Sequence, residues 1–152
     1  MQQDTVTSAI EKAVTTTFAD MGFISARLDP QASPEEILST NLTYSIRVLL
    51  PNVGPIFFFA SEDLGRELID NIHGMSDPES QPQLIDDTLS EMLNVMVGRI
   101  FQILSPSHPF ELSLPVREKD AIQLDESAAL MVFKTPDKHT FCMSHHITLV
   151  NY

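Results

Sequence analysis

The stretch Leu84-Ile85-Asp86-Asp87-Thr88-Leu89-Ser90-Glu91-Met92-Leu93-Asn94-Val95-Met96-Val97-Gly98-Arg99-Ile100-Phe101-Gln102-Ile103-Leu104 decides the reading of this chain. Its apolar residues recur at helical spacing, and its polar residues are not scattered among them. At about 100° per residue, Asp87, Glu91, Asn94 and Gly98 fall within roughly 60° of one another. Leu89, Met92, Leu93, Met96, Ile100 and Ile103 centre on the opposite side. The spacing predicts a helix over 83–104, stopped at Ser105-Pro106, that packs with one face and presents a carboxylate and an amide on the other.

Working outward, Ser61-Glu62-Asp63-Leu64 caps a preceding helix that runs to His73 and ends at Gly74, and the polar residues 75–83 form a loop. Leu42, Tyr44, Ile46, Val48 and Leu50 alternate as a strand over 41–50. After the turn Pro51-Asn52-Val53-Gly54-Pro55, the run Ile56-Phe57-Phe58-Phe59-Ala60 should return beside it as an antiparallel hairpin. A first helix over 7–21 turns Ile10, Val14, Thr17, Phe18 and Met21 inward and ends at Gly22, and a strand over 23–28 follows. Ser33-Pro34-Glu35-Glu36 carries the signals of a short helical turn. Beyond the long helix come strand-like runs at 110–116, 128–134 and 140–150, the first two bridged by the polar segment 117–127. All ten prolines stand where a periodic segment starts or stops. The expected class is α+β, with long helices packed on an antiparallel or mixed sheet and two pseudo-related halves, each a helix followed by strands, although no residue-level repeat is visible.

Composition bounds the rest. At 152 residues, with 43% hydrophobic residues, the chain has material for one core, so 1–152 is read as a single domain. The longest apolar run lies around 56–60, far short of the roughly 20 residues of a membrane helix. The first residues, Met1-Gln2-Gln3-Asp4-Thr5, lack the basic and apolar regions of a secretory signal, which makes a cytoplasmic location the expectation. The lone Cys142 has no disulfide partner in the chain and reads as a small buried apolar residue. A net charge of −12 with nine Lys and Arg leaves no basic cluster fit for a phosphate backbone, so nucleic acid is not an expected partner.

Glu and Asn at i and i+3 on an exposed helix face reach into the same cleft of a docked protein. The amide both donates and accepts, so it can hold a water in line with an electrophile; the carboxylate can pair with a lysine. Neither is a strong nucleophile. The pair suits placement of water for phosphoryl hydrolysis, which depends on positioning and charge. Gly98 on the same stripe reads either as a bare patch for a partner's backbone or as a point of close helix packing. Val95 and Phe101 flank the stripe, as apolar contacts or as the edge of the core.

Asp87-x3-Glu91-x2-Asn94, continuing Val95-Met96-Val97-Gly98-Arg99, resembles the signature helix of the CheC/CheX family of chemotaxis phosphatases. The first helix, the hairpin around 51–54 and the strand at 110–115 resemble that family in order and length. The resemblance implies an enzyme that removes the aspartyl phosphate from the receiver domain of a CheY-like response regulator. Asn94 would orient the attacking water and Glu91 would pair with the receiver's lysine, with Asp87, Val95, Gly98 and Phe101 as partner-binding residues. It implies no cofactor of the chain's own, since the Mg2+ would be the receiver's, and a homodimer joined through sheet edges. CheC-like members often carry a second Glu/Asn helix near the N-terminus. Here the corresponding place reads Thr7-x3-Glu11-x2-Val14, so a single site, as in CheX, is expected.

Other readings have less to stand on. A non-catalytic module of the same fold group, binding a response regulator or a flagellar switch component, would keep the same helix face. His139, His145, His146 and Cys142 cluster in sequence, but strand geometry sends His145 and His146 to opposite faces and no metal site is expected. Ser144 beside the histidines lacks a nucleophile-elbow context. A small-molecule domain would need a glycine-rich phosphate loop or a basic anchor beside an apolar pocket, and neither is apparent.

Overall fold

In the computed structural model, residues 2–40, 42–50, 54–74, 82–120 and 122–148 are described. Two antiparallel hairpins form the middle of one sheet. The first pairs β2 (Leu42–Leu50) with β3 (Gly54–Ala60), and the second pairs β6 (Ala129–Lys134) with β7 (Thr140–His145). They meet antiparallel along β3 and β7. Each hairpin is extended by a short strand from the other half of the chain: β1 (Arg27–Leu28) pairs with β6, while β4 (Glu111–Leu112) and β5 (Val116–Glu118) pair with β2. The resulting order β1-β6-β7-β3-β2-β4 reads the same when the two halves are exchanged. Both expected features are therefore present, an α+β fold on an antiparallel sheet and two related halves; that the halves exchange edge strands was not expected.

The helices α1 (Gln2–Gly22), α3 (Glu62–His73) and α4 (Pro82–Leu104) cover one sheet face, while the six-residue α2 (Glu35–Thr40) lies over the other. Between the three long helices and the sheet sits the main core, with Phe18, Tyr44, Phe58, Phe133 and Phe141 fully buried. Phe141 stacks on Phe18 at 4.3 Å between centroids and on Phe133 at 5.1 Å, joining α1 to β6 and β7. A smaller cluster of Ile37, Phe59, Val132 and Cys142 fills the space under α2, where Cys142 is fully buried and its thiol is pushed up to about 12 by burial. Helix α3 is closed as expected: the Ser61 hydroxyl accepts from the Leu64 N–H at 3.1 Å, and Gly74 ends it in the left-handed conformation. Where α3 meets α4 the Ile85 side chain packs onto Gly65, whose added Cβ would lie 2.8 Å from Ile85 Cγ2. No helix among the described residues is long and apolar enough to cross a membrane.

Several boundaries differ from the sequence reading. The first helix starts at Gln2, not at residue 7. The strand expected over 23–28 shrinks to Arg27–Leu28, because Phe23 takes a positive φ of 55° and the Ile24 N–H donates to the Phe18 carbonyl, closing the helix instead of opening a strand. The run 110–116 is broken into β4 and β5, since Pro115 has no N–H to give the ladder and β2 shifts register between Val48 and Leu50. Of the expected turn, residues 51–53 lie outside the described residues, as do 75–81 of the expected loop; Pro82 and Gln83 belong to α4. The last strand ends at His145, and 149–150 lie outside the described residues.

Candidate functional site

Helix α4 is pinned at both ends of the polar stripe. At its start the Tyr44 hydroxyl, rooted in β2, donates to Asp86 Oδ1 at 2.6 Å, and Arg117 Nη1 of β5 bridges to Asp86 Oδ2 at 3.2 Å. Burial, then the neighbouring Asp86, pushes the Tyr44 hydroxyl far above its ordinary range and keeps it a donor. Toward the other end, Arg99 Nη1 donates to Thr17 Oγ1 at 3.0 Å and Nη2 to Asp20 Oδ2 at 3.2 Å, tying α4 to α1. Neither clamp was read from the sequence. Asp86 is a neighbour of the stripe in sequence, but only the fold brings it to Tyr44 and Arg117.

Between the clamps, Asp87 and Glu91 are exposed and Asn94, Val95 and Gly98 are half-buried. Asp87 Oδ1 accepts from Gln83 Nε2 at 2.9 Å, which orients it along the helix surface. The side chains of Glu91 and Asn94 make no hydrogen bond or ion pair among the described residues, so both polar groups are free to meet a partner. At Gly98 an added Cβ would meet nothing within 4 Å. This removes the close-packing explanation: the glycine leaves bare helix backbone beside Asn94, next to open space.

Two residues of the long helix are placed differently from expectation. Phe101, expected at the partner surface, is buried in the core and stacks on Phe110 at 5.9 Å between ring centroids, so it is unavailable for docking. Ile103, expected in the core, is 41% exposed. The buried arc of α4 is not a fixed stripe. It passes from Ile85, Leu89 and Met92 to Val97, Ile100 and Phe101 as the segment carrying Phe110 closes over the helix end.

The same burial logic corrects the counterpart site on α1. Val14, aligned from sequence with Asn94, is fully buried and cannot correspond to a half-exposed amide. The inward patterns of the two helices coincide when Val6 is set against Ile85, Ile10 against Leu89, Ala13 against Met92, Val14 against Leu93 and Thr17 against Met96. The outward counterparts of Asp87, Glu91, Asn94 and Gly98 are then Ser8, Lys12, Thr15 and Ala19. No Glu/Asn pair stands there in either alignment.

The histidines serve three separate contacts. His139 Nδ1 lies 2.6 Å from Glu67 Oε2 on α3, His146 Nδ1 lies 3.4 Å from Ser127 Oγ, and the buried His145 accepts the Ile147 N–H at 3.1 Å. Burial, with the neighbouring His146, pushes the His145 ring down to about 4.

No family model matches the chain, and no curated protein matches it significantly in sequence. Solved structures do match in shape. The chain is 17% identical to the chemotaxis protein CheX from Vibrio vulnificus, with 91% of this chain and 94% of that chain covered and a TM-score of 0.72. It is 15% identical to a chain of the CheX–CheY–BeF3–Mg2+ complex from Borrelia burgdorferi, covering 91% and 94%, with a TM-score of 0.72. FliY from Thermotoga maritima is 11% identical, with 95% and 87% covered and a TM-score of 0.64. The sheet order, the exchanged edge strands and the paired helices α1 and α4 are thus those of a known architecture: the chain has the CheC/CheX fold.

Proposed function

We propose that this protein is a phosphatase that hydrolyses the aspartyl phosphate of a response-regulator receiver domain of the CheY kind. The observation that carries the reading is the face of α4, where Glu91 and Asn94 stand side by side without internal partners and next to bare backbone at Gly98. Asn94 holds a water by donating to it and accepting from it, aligning its oxygen with phosphorus. Glu91 pairs with the receiver's active-site lysine and fixes the docking register. Asp87 and Val95 flank the contact, and Gly98 lets the partner approach. Alignment of this sort is where phosphoryl transfer gains most of its rate, since little covalent chemistry is asked of the enzyme. The Mg2+ belongs to the receiver's phosphorylation site, and this chain contributes no ligand to it. That a neighbour in fold is a CheX in complex with CheY supports the choice of partner. A homodimer joined through sheet edges is part of the same proposal.

The second reading is a non-catalytic module that binds a response regulator or a flagellar switch component through the same face. The breadth of the fold, which extends to FliY, favours keeping it in the test. The deciding experiment follows the decay of a panel of phosphorylated receivers, including a CheY-like one, with this protein and with Asn94→Ala. Accelerated decay that vanishes in the variant is expected; binding without acceleration for every receiver would move the assignment to the module.

A further inference from the structure

A second chemistry lies on the opposite sheet face. Edge strand β1 sets Arg27 directly across from Lys134 of β6, and Lys134 lies across from Thr140 of β7. The adjacent pair, Leu28 and Phe133, packs in or against the core under the long helices, so strand alternation turns the Arg27–Lys134–Thr140 row to the face away from α4. With Ser25 and Lys138 this row lines a cleft of about 740 Å3.

Three features make the cleft unusual for this chain. Like charges directly opposite on neighbouring strands are destabilising, yet Arg27 and Lys134 are so placed. The chain has only nine Lys and Arg against 21 Asp and Glu, and three of the nine meet here. The third, Lys138, is held in a tight turn in which its N–H donates to the Thr135 carbonyl at 3.0 Å, the Thr135 N–H donates to the His139 carbonyl at 2.9 Å and the His139 N–H donates to Thr135 Oγ1 at 3.2 Å. Its φ of 65° is a conformation that side-chain-bearing residues seldom adopt. Among the described residues, the carboxylate ion-paired with this row is Asp29, whose Oδ2 lies 3.3 Å from Lys134 Nζ. Three cations stand against Asp29, while the carboxylate of Asp137 in the same turn lies beside Glu67 of α3, so the lining of the cleft is cationic.

We propose that this cleft binds a phosphate monoester, whose charge of about −1.5 to −2 at neutral pH complements that cationic lining. Arg27 supplies a planar fork for phosphate oxygens, Lys134 and Lys138 act as point charges, and the Ser25 and Thr140 hydroxyls add neutral donors. Pro136 and the aliphatic stems of the lysines line the same cleft, and the organic body of the ester lies against them. The site is independent of the α4 face and of the dephosphorylation proposed there.

The test is a titration of the full chain with phenyl phosphate, followed by amide chemical shifts, beside inorganic phosphate, benzoate and a phosphoserine-containing peptide. Saturable shifts confined to Ser25, Arg27, Lys134, Lys138 and Thr140 are expected. Phenyl phosphate should bind at least tenfold tighter than benzoate, and Arg27→Gln and Lys138→Gln should each weaken it at least tenfold, while Lys138→Arg retains it. Both Gln substitutions are at exposed positions, and unchanged dispersion of the remaining amides reports that the fold is kept. Equal affinity for phenyl phosphate and peptide assigns the site to the phosphate group of a free ester. A peptide at least tenfold tighter assigns the same chemistry to a phosphorylated polypeptide. No saturation, shifts spread over Lys and Arg throughout the molecule, or binding unaffected by both Gln variants overturns the proposal.

Discussion

Helices α1 and α4 hold equivalent places in the two halves and bury equivalent faces, yet their outward faces differ in kind. On α4 the sequence of groups is Asp87, Glu91, Asn94, Gly98; on α1 it is Ser8, Lys12, Thr15, Ala19. Packing keeps the inward residues of both helices buried, although their volumes differ, as Ala13 against Met92 and Thr17 against Met96 show. Nothing in the core constrains the outward residues, and there the halves part. The carboxylate of one face is an ammonium on the other, and the amide is a hydroxyl whose own Oγ1 donates back to the Glu11 carbonyl at 2.8 Å. Under the proposed function, a receiver lysine attracted to Glu91 would be repelled by Lys12, so that one face would accept a receiver and the other refuse it.

The strongest test of that asymmetry removes the amide. Asn94→Ala should reduce the acceleration of receiver dephosphorylation by about 100-fold or more, because the water loses its alignment, with receiver affinity changed less than threefold in a direct binding assay. In that background, the triple change Ser8→Asp, Lys12→Glu, Thr15→Asn should restore measurable turnover from α1. Failure of the triple variant to turn over any receiver, with the fold intact, would show that the two faces are not interchangeable and that more than these side chains distinguishes them.

Next in size is the carboxylate. Glu91→Lys transplants the α1 charge into α4, and should weaken receiver binding by roughly tenfold to a hundredfold, about 1.4 to 2.8 kcal/mol. Glu91→Ala should fall between the variant and the native protein. If the lysine and alanine variants bind equally well, no cation of the partner lies near position 91.

Glycines sharpen the same contrast, because Gly65 and Gly98, both inside helices, stand there for different reasons. Gly65→Ala drives a Cβ into Ile85 at the α3–α4 contact and should destabilise the protein by about 1 to 3 kcal/mol in chemical denaturation. Gly98→Ala meets open space, and should stabilise by about 1 kcal/mol through helix propensity. Gly98→Leu should keep that stability but weaken receiver docking about tenfold. A protein made stabler and functionally worse by one substitution would separate an interaction surface from a structural one; a Gly98→Leu variant that docks normally would remove Gly98 from the interface.

Much of the fold is legible in the sequence. The α4 stripe, the β2–β3 hairpin and the caps of α3 all follow from local pattern, because each is set by residues a few positions apart. The misplaced features share a cause in longer range. Phe101 lies at nearly the same helical angle as Asn94, yet one is buried and the other is not, since Phe110 arrives from beyond the helix end to cover only the last turn. Ile103 is left outside by the same shift of the buried arc. The α1 counterpart was one residue out of register because Glu11 invited a match to Glu91 by identity; the buried Val14 sets the alignment instead. The clamps on Asp86 and Arg99, and the cation row of the opposite face, depend on strand neighbours that no local pattern reveals.

The smallest expected effect concerns acid, and it too divides the halves. In the second-half hairpin His145 is buried with a folded pKa of about 4, against an ordinary value of 6.5. A base whose folded pKa is depressed takes up its proton first in the unfolded chain, so stability falls as pH drops from about 6.5 toward 4 and is regained on raising it. In the first-half hairpin, the buried titratable group is Tyr44, whose hydroxyl is pushed upward and stays neutral throughout that window. Glu67, held above the usual carboxylate range by burial and then by Asp137, acts with the opposite sign at the contact between α3 and the β6–β7 turn, which makes the variant comparison necessary. Between pH 7 and 4.5, native-state hydrogen exchange should therefore accelerate in β6 and β7 before β2 and β3, by an amount worth up to roughly 2 kcal/mol. His145→Gln should abolish the difference between the hairpins. Equal acid response of both hairpins in the native protein would mean that they open as one cooperative unit, and that the division between the halves is one of surface chemistry alone.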